Sequence, residues 1–337
     1  MREQNGTEKL HVLVTIPMDP DQRRRLEAVR PEGEYRYVPE VGIMPETSPL
    51  LTAREVEDAD VILGDVPSEM LRGCRHLQFL QLSSAGVREY IGGALPEGAA
   101  LSNATGAYGE GISETMLAMT LVLMKKLHLY QKQQQEHSWS CLGRVKTLQN
   151  AVVLCVGMGN IGGEYLKKCK ALGAYTCGVC RTLREKPDWA DELHVSEELD
   201  ALLPRADVVA VNLPDTPKTR RMLDERRLSL LKKEAILINV GRGAAVDTDA
   251  LCRMLNEEKL AGAGLDVTDP EPLPPEHPLW DARNALITPH VTGGFTLERT
   301  LENIVALAIE NFARFVAGQP ARNQVDFQEG YARKDPA

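Results

Sequence analysis

The sequence predicts an α/β protein built on doubly wound parallel sheets with helices on both faces. Short apolar runs alternate along the chain with segments of helical periodicity, the order that produces such sheets. One run, Ala151–Val156, is continuously apolar, as expected of a strand that is buried on both faces. With 337 residues, the chain is long enough for two such domains.

The composition argues against several classes of protein. Hydrophobic residues make up 43% of the chain and charged residues 26%, as in an ordinary globular protein. The net charge of −9 argues against nonspecific binding of nucleic acid, which needs a basic surface. Residues Met1–Lys9 are polar and no apolar run is long enough to span a bilayer. We therefore expect a cytoplasmic protein without a signal peptide, a membrane partner or a nucleic-acid partner.

The first domain is expected to comprise residues 1–106 together with 297–337. A helix starts at Asp19–Pro20, and three buried strands are predicted over His11–Ile16, Val61–Leu63 and Leu77–Leu82. The small-residue turn Ser83–Val87 follows the third strand, at a strand end where such sheets bind ligands.

A long helix, predicted over Thr296–Ala317, would return the chain to this first domain, which would then consist of two separated pieces. The polar residues 326–337 are expected to be frayed.

The second domain is expected to span residues 107–296. It opens with one long helix over Gly109–Gln134. Five further strands join Ala151–Val156 in a six-stranded sheet, namely Ala174–Cys180, Val208–Leu213, Ala235–Val240, Gly262–Val267 and Ala285–Thr288. Helices between them are predicted over Leu199–Pro204, Asp224–Lys232 and Thr248–Glu258.

Three glycines follow the first strand of this domain in the spacing of a dinucleotide-binding turn. Gly157 permits the tight turn, Gly159 lets the backbone approach a pyrophosphate, and Gly162 lets the following helix, Glu164–Leu172, pack closely. The N-terminus of that helix offers N–H groups and a positive dipole end to phosphates. A glycine triplet alone is weak evidence, but the strand before it and the helix after it favour a nucleotide site over an ordinary turn.

The end of the next strand indicates which dinucleotide is bound. An acid normally binds the ribose 2′-hydroxyl there, whereas this chain has Arg181 and Thr182. Arg181 could pair with a 2′-phosphate, so we favour NADP(H), with NAD(H) possible; the alternative is that Arg181 is a solvated loop residue. Cys177 and Cys180 match a Cys-x-x-Cys pair, but with no second pair nearby we interpret them as strand residues and predict no metal site.

Three later strand ends carry residues that could perform chemistry. Arg242 lies between two glycines, and an arginine there can clamp a carboxylate. Asp266 lies at the end of the next strand and Glu271 follows it, and His290 follows the strand after that. Taken singly, each has an ordinary alternative as a solvated or structural residue. Their coincidence at carboxyl ends of one sheet, where a nicotinamide would lie, favours an active site.

With these residues in view, the chain resembles the D-isomer-specific 2-hydroxyacid dehydrogenases. The resemblance covers about residues 50–320 and rests on ordered motifs: Gly157-x-Gly-x-x-Gly, Asn239-Val-Gly-Arg-Gly, Leu265-Asp-Val with Glu271-Pro-Leu-Pro, Pro289-His, Ser84-Ala-Gly-Val, Asn103-x-x-Gly with Glu114, and Leu213-Pro-x-Thr-Pro-x-Thr. It implies Rossmann-like and flavodoxin-like domains, an active site in the cleft between them, and a homodimer that pairs through the nucleotide-binding domain.

The resemblance also implies that the chain reduces a small 2-oxo acid, such as glyoxylate or hydroxypyruvate, to a D-2-hydroxy acid. His290 would be the general acid, Glu271 its partner, and Arg242 the clamp for the substrate carboxylate. Substrate contacts would come from Ser84, Ala85, Gly86 and Tyr108. Cofactor contacts would come from the residues already named at the glycine turn and at the strand ends, and from Asn160, Ile161, Leu213, Pro214, Thr219, Val240, Gly241 and, at the nicotinamide carboxamide, Asp266.

Some residues depart from the family pattern or bear on alternatives. The turn Val291–Phe295 differs from the small-residue turn of many members, so the pocket wall there is expected to differ. Formate dehydrogenases of the family have glutamine where Glu271 stands, which disfavours formate. A 3-phosphoglycerate dehydrogenase would need more cations near the substrate turn than Arg88. A nucleotide-sensing corepressor on the same scaffold remains an alternative, because such proteins can retain the same residues.

Overall fold

A computed structural model describes residues 9–38, 51–295, 297–327 and 331–332. The chain divides into two compact units, of which the first comprises Met1–Ala107 with Gly294–Ala337 and the second Tyr108–Gly293. Of the sequence-based expectations, those on residues 1–8, on Thr296 and on most of the polar C-terminal residues lie outside the described part.

The first unit is built on a parallel sheet. Its elements before residue 108 are β1 (His11–Val14), α1 (Pro20–Glu27), β2 (Glu34–Tyr37), α2 (Ala53–Glu57), β3 (Val61–Leu63), a 3-10 helix (Ser68–Gly73), β4 (Phe79–Gln81) and β5 (Ala100–Ser102). The strand order β2-β1-β3-β4-β5 is flavodoxin-like, as expected. The sequence analysis missed β2 and β5, which lie at the two edges and lack the apolar runs of the inner strands.

Helix α1 begins where the sequence predicts it. Asp19 is its N-cap and accepts hydrogen bonds from the N–H groups of Asp21 and Gln22, while the Gln22 side chain accepts from the N–H of Asp19. This capping box satisfies N–H groups that have no partner inside the helix.

The second unit contains a longer parallel sheet. Its elements are α3 (Gly109–Lys125), α4 (Leu127–Gln135), β6 (Val152–Val156), α5 (Asn160–Ala171), β7 (Tyr175–Cys180), β8 (Glu192–Val195), α6 (Leu199–Leu202), β9 (Val208–Val211), α7 (Glu225–Leu228), β10 (Ile236–Asn239), α8 (Thr248–Asn256), β11 (Gly262–Leu265) and β12 (Ala285–Ile287), with 3-10 turns at Ser196–Glu198, Leu203–Arg205, Gly243–Ala245 and Pro278–Asp281. The strand order is β12-β11-β10-β9-β6-β7-β8. The chain adds β7 and β8 on one side of β6 and then β9 to β12 on its other side, so the strand order reverses between β6 and β9 while all strands stay parallel. Such a reversal is where doubly wound sheets bind dinucleotides.

Two expectations for this unit are wrong in detail. The sheet has seven strands, not six, because β8 adds an edge strand of mixed polarity. The single helix predicted over 109–134 is two helices, because Lys126 adopts a left-handed backbone with φ of +59° and interrupts the chain between α3 and α4. Among the described helices, none is long and apolar enough to cross a bilayer.

The returning segment of the first unit contains α9 (Glu298–Val316), β13 (Val325–Asp326) and β14 (Tyr331–Ala332). Helix α9 buries an apolar face that includes Ile304 and Phe312, together with the polar side chain of Asn311. The Asn311 amide donates to the Gln81 side chain at 2.6 Å, so its polar atoms are paired inside the core. The expectation that residues 326–337 are frayed is wrong where β13 and β14 form an antiparallel pair.

Candidate active site

The glycine turn after β6 has the shape of a dinucleotide cradle. Gly157 has a left-handed backbone with φ of +105°, and a Cβ atom there would lie 2.5 Å from the carbonyl oxygen of Asn212. Another residue at 157 would therefore be strained and would overlap the chain beyond β9. A Cβ atom at Gly159 would meet nothing within 4 Å, which leaves open space beside the backbone for a pyrophosphate.

Helix α5 begins directly at this turn. A Cβ atom at Gly162 would lie 2.7 Å from the Sγ atom of Cys155, so the helix packs closely on β6 only because residue 162 is glycine. The N-cap is Gly159, and no side chain caps the helix. The first N–H groups, at Asn160 and Ile161, therefore suit a phosphate ligand, and the turn fits a dinucleotide.

The chain that follows β7 carries cations in place of the usual acid. Arg181 and Thr182 are both exposed. Arg184, which the sequence analysis did not select, donates from Nη2 to the carbonyl oxygen of Met158 at 2.5 Å and so holds the glycine turn. The sequence signal that could have identified Arg184 is its position as a second arginine shortly after Arg181. The Cys-x-x-Cys pair consists of free thiols, and the Cys180 Sγ donates to the carbonyl oxygen of Thr182 at 3.2 Å.

The turns after β9 and β10 lie side by side. A Cβ atom at Gly241 would lie 2.6 Å from the backbone nitrogen of Leu213. Thr219 donates from its hydroxyl to the carbonyl oxygen of Pro214 at 2.6 Å and closes the first of these turns. Val240, which is buried, leads into the second. The cofactor-contact residues expected here are thus brought together, while their contacts with a cofactor stay a prediction.

Arg242 comes next in the second turn. Its Nη1 atom donates to the carbonyl oxygen of Gly241 at 2.8 Å. The turn is held by Asn239, whose side-chain amide donates to the carbonyl oxygen of Arg242 at 3.2 Å and whose amide oxygen accepts from the N–H of Gly241 at 3.1 Å. The guanidinium is thereby placed at the carboxyl end of β10 by a side chain of that strand.

His290 and Glu271 form the central pair of the site. The Nδ1 atom of His290 lies 2.6 Å from Oε1 of Glu271, and the two side chains are 42% and 39% exposed. The hydrogen bond from His290 lowers the pKa of Glu271, desolvation opposes this, and the charge of Arg242 adds a smaller lowering. Glu271 is therefore a carboxylate at neutral pH that accepts from Nδ1–H, which leaves Nε2 as the nitrogen for proton transfer.

The turn around His290 is organised by Asp266. His290 has φ of +50°, a conformation that non-glycine residues rarely adopt, and its N–H donates to the carbonyl oxygen of Asp266 at 2.9 Å. The buried Asp266 carboxylate accepts from the hydroxyls of Thr288 and Thr292, each at 2.6 Å, and from the N–H groups of Val291 and Thr292 at 3.1 and 3.3 Å.

Sequence reasoning missed both of these threonines, although they flank Pro289-His290 in the sequence. It assigned Asp266 to the nicotinamide carboxamide, and that role stays a prediction. Thr292 belongs to the turn Val291–Phe295, which departs from the family pattern. Its hydroxyl donates to the Asp266 carboxylate that holds this turn.

The expected substrate loop belongs to the first unit and follows β4. The carbonyl oxygens of its three expected substrate residues all accept hydrogen bonds. That of Ser84 accepts from the N–H of Ala104 at 2.9 Å, that of Ala85 from Asn103 Nδ2 at 2.9 Å, and that of Gly86 from the Ser84 hydroxyl at 3.1 Å. Within the described residues, the N–H groups of Ala85 and Gly86 have no hydrogen-bond partner. Paired N–H donors without competing carbonyl groups suit an anion.

Tyr108, the other expected substrate residue, begins the second unit and is the N-cap residue of α3. It is buried, and a Cβ atom at Gly293 would lie 3.4 Å from its ring. Tyr108 therefore packs against the segment that follows His290. Its contact with a substrate stays a prediction.

Within the second unit, then, the structure brings Arg242, Asp266, Glu271 and His290 to the carboxyl ends of three adjacent strands, β10, β11 and β12. The glycine turn lies at the same edge of the sheet, after β6. In the described part of the chain, no group of three or more His, Cys, Asp or Glu residues is placed to hold a metal ion.

Comparison with known proteins identifies similar chains. The sequence model described as "D-isomer specific 2-hydroxyacid dehydrogenase, NAD binding domain" matches residues 117–292. An uncharacterised protein of Corynebacterium melassecola is 34% identical over 285 residues, 82% of this chain and 91% of its own. A glyoxylate reductase of Aeropyrum pernix is 38% identical over 172 residues, 51% of this chain and 50% of its own.

Solved structures are similar over nearly the whole chain. A D-isomer specific 2-hydroxyacid dehydrogenase family protein of Aeromonas salmonicida is 28% identical with a TM-score of 0.82, covering 95% of this chain and 100% of its own. A D-isomer specific 2-hydroxyacid dehydrogenase of Xanthobacter autotrophicus, solved with NADPH and MES, is 26% identical with a TM-score of 0.78, covering 96% and 100%.

Proposed function

Because the chain belongs to the D-isomer specific 2-hydroxyacid dehydrogenase family, we propose that it stereospecifically reduces a small 2-oxo acid to the D-2-hydroxy acid, with NADPH preferred. The chain is an oxidoreductase that acts on CH–OH groups with NAD(P). The observation that carries the proposal is the His290–Glu271 pair at 2.6 Å, whose residues follow the next two strands of the sheet after the one that precedes Arg242. Glyoxylate and hydroxypyruvate are the first substrates to test, since a related chain is a glyoxylate reductase.

The residues of the site divide the reaction into separate tasks. The cofactor, when bound, supplies the hydride to the carbonyl carbon. His290 gives the proton from Nε2 to the carbonyl oxygen, and Glu271 stabilises the doubly protonated ring that must do so. Arg242 binds the substrate carboxylate and stabilises the negative charge that develops on oxygen.

The remaining contacts follow the expectations from sequence. We assign the substrate carboxylate to Ala85 and Gly86, supported by their unpaired N–H groups, and assign Ser84 and Tyr108 to the substrate as well. The cofactor would be held by the glycine turn, by the strand-end residues described above and by Asp266.

An absorbance assay at the nicotinamide band tests the proposal directly. A panel of 2-oxo acids is crossed with NADPH and NADH, and the product is analysed for chirality. We expect turnover of at least one small 2-oxo acid to the D product, and His290→Gln to lower kcat about 10² to 10⁴-fold while NADPH still binds. His76→Gln, at an exposed histidine of the first unit, is the control. Cofactor binding without turnover on the whole panel would contradict the proposal.

The preference for NADPH rests on the chain that follows β7. Arg181 stands at the position where a carboxylate would repel a 2′-phosphate, and its guanidinium can pair with that group bidentately. Thr182 can add a hydrogen bond. A homologue solved with NADPH supports the same choice.

Substitution of Arg181 tests this preference. Arg181→Ser is expected to raise KM for NADPH about 10 to 100-fold, because charge-assisted hydrogen bonds to the 2′-phosphate are lost, and to leave KM for NADH nearly unchanged. Arg253→Ser, at an exposed arginine of α8, is the matched control. Equal changes for the two cofactors would show that Arg181 does not read the 2′-phosphate.

We also propose that the chain works as a homodimer in the cytoplasm. The side chains of Leu127, Trp139 and Val145 in the second unit are 52%, 102% and 49% exposed, and large apolar side chains left exposed are often found at protein interfaces. All seven cysteines are free thiols, which suits a reducing compartment. Analytical ultracentrifugation tests the first statement and cell fractionation the second.

A further inference from the structure

An acidic residue that the reaction does not use lies beneath the proposed substrate loop. Asp65 follows β3, whose residue Leu63 pairs in register with Gln81 of β4. Gly64, with φ of +119°, turns the chain beyond β3, and a hydrogen bond of 3.0 Å from the Thr15 hydroxyl to the carbonyl oxygen of Asp65 holds it there. The Asp65 backbone is thus fixed at the carboxyl end of the sheet.

The Asp65 carboxylate binds the first half of the loop. Its Oδ2 atom accepts from the Ser83 hydroxyl at 2.5 Å and its Oδ1 atom from the Ser84 hydroxyl at 3.2 Å. Burial raises the pKa of Asp65, and the hydrogen bonds from Ser83 and Ser84 oppose that rise. One side chain therefore accepts from the hydroxyls of two consecutive residues.

These contacts fix one part of the loop and leave another part open. The Ser83 hydroxyl donates to Asp65, the Ser84 hydroxyl is shared between Asp65 and the carbonyl oxygen of Gly86, and the carbonyl oxygens of Ser84 and Ala85 accept from other donors. The N–H groups of Ala85 and Gly86 have no hydrogen-bond partner among the described residues. The loop is held in this arrangement by its own contacts, so binding of a ligand does not have to order it.

We propose that Asp65 is a positioning residue for substrate binding, which holds Ser83 and Ser84 so that the N–H groups of Ala85 and Gly86 stay available to the substrate carboxylate. This inference rests on the proposed function. Asp65 touches neither substrate nor cofactor in it and acts through the serines.

The nearly isosteric variant Asp65→Asn tests the proposal, because an amide nitrogen cannot accept a hydrogen bond and leaves donors of Ser83 or Ser84 unpaired. An unpaired buried donor disfavours the arrangement that binds the substrate, so KM for the 2-oxo acid is expected to rise about 5 to 150-fold, while kcat and the Kd for NADPH change less than about threefold. Ser83→Ala removes one donor and is expected to give a smaller rise. Asp58→Asn, at an exposed acid after α2, is the control.

A merely structural role predicts a different result: Asp65→Asn would lower Tm and the fraction of active enzyme without changing KM. Unchanged KM in both Asp65→Asn and Ser83→Ala therefore overturns the inference. If Asp65→Asn does not fold, Ser83→Ala decides by the same KM-against-kcat split. If the unmodified enzyme reduces no 2-oxo acid, the proposed function fails; hydrogen exchange of residues 83–87 then tests the loop alone, and an unchanged exchange rate in the variants overturns its control by Asp65.

Discussion

His290 shows how much of the site depends on single residues. A left-handed backbone at a non-glycine residue costs about 1 to 3 kcal/mol and persists only where its surroundings enforce it. Here the Asp266 carboxylate, with hydrogen bonds from Thr288, Val291 and Thr292, supplies that enforcement. The turn is held in its strained form by residues on both sides of the histidine, so the imidazole is oriented in advance of the reaction.

Glu271 supplies the charged acceptor for the Nδ1 atom of His290, at 2.6 Å. Replacing it by glutamine removes that charge, so the ring loses a charge-assisted hydrogen bond. We expect Glu271→Gln to lower kcat for 2-oxo acid reduction about 10 to 100-fold, because His290 is then a poorer proton donor at Nε2. The measurement is kcat in the nicotinamide absorbance assay, together with the Kd for NADPH, which should stay unchanged.

The matched control is Glu276→Gln, at an exposed glutamate of the same loop. Its kcat is expected to equal that of the unmodified enzyme. A kcat of Glu271→Gln within about threefold of the unmodified value would show that the carboxylate does not assist proton transfer by His290.

At the same scale, the sequence predicts some residues of the site and not others. Gly157 is predictable because its conformation is a local requirement, which the strand before it and the helix after it already indicate. Asp65 and Ser83 meet across 18 positions of the chain, and Thr292 meets Asp266 across 26. No periodicity or spacing records such pairs. They arise only when neighbouring strands are brought into register.

Among the elements, β8 shows why an edge strand escapes prediction. Its sequence, Glu-Leu-His-Val, lacks an apolar run, because an edge strand is only partly buried. Much of its anchorage is polar: Glu192 accepts two hydrogen bonds from Arg205, at 2.6 and 3.0 Å, and another from the Tyr175 hydroxyl at 2.8 Å. The inner strands β6, β7, β9, β10 and β11 are mostly buried and poor in charged residues, and the sequence predicts all five.

The polar anchorage of β8 makes acid stability testable. The hydrogen bonds from Arg205 lower the pKa of Glu192 to about 2, against desolvation, from an ordinary value of 4.5. A carboxylate whose pKa is depressed by folding stabilises the fold above pH 4.5, and this stabilisation is lost as the pH falls toward 2. Glu192→Gln removes it, so the urea midpoint of the variant should fall less between pH 5 and pH 3 than that of the unmodified protein.

The control for this experiment is Glu197→Gln, at an exposed residue shortly after β8. Its urea midpoint should follow the unmodified protein over the same interval. An equal loss of stability in Glu192→Gln and the unmodified protein would mean that the ion pair with Arg205 adds nothing in solution, as is common for exposed pairs.

On the scale of the whole molecule, each new strand of the two parallel sheets pairs with one that precedes it in the chain. The alternation of strands and helices was enough to predict this architecture for both units. The break at Lys126 was not predictable, because the sequence around it, Met-Lys-Lys-Leu-His, has neither glycine nor proline to mark a helix end. The segment that follows this break carries the most exposed tryptophan among those described.

Trp139 is 102% exposed, and an indole left in water forgoes the burial that usually places tryptophan in a core or an interface. In the proposed homodimer a second copy covers it, and truncation of a buried interface tryptophan costs about 2 kcal/mol or more. Trp139→Ala is therefore expected to raise the dimer dissociation constant about thirtyfold or more, as measured by sedimentation over a dilution series. Trp280→Ala, at a 48% exposed tryptophan of the same unit, is the control. An unmodified chain that sediments as a monomer would contradict the homodimer. A Trp139→Ala dimer as tight as the original would show that Trp139 lies outside the dimer interface.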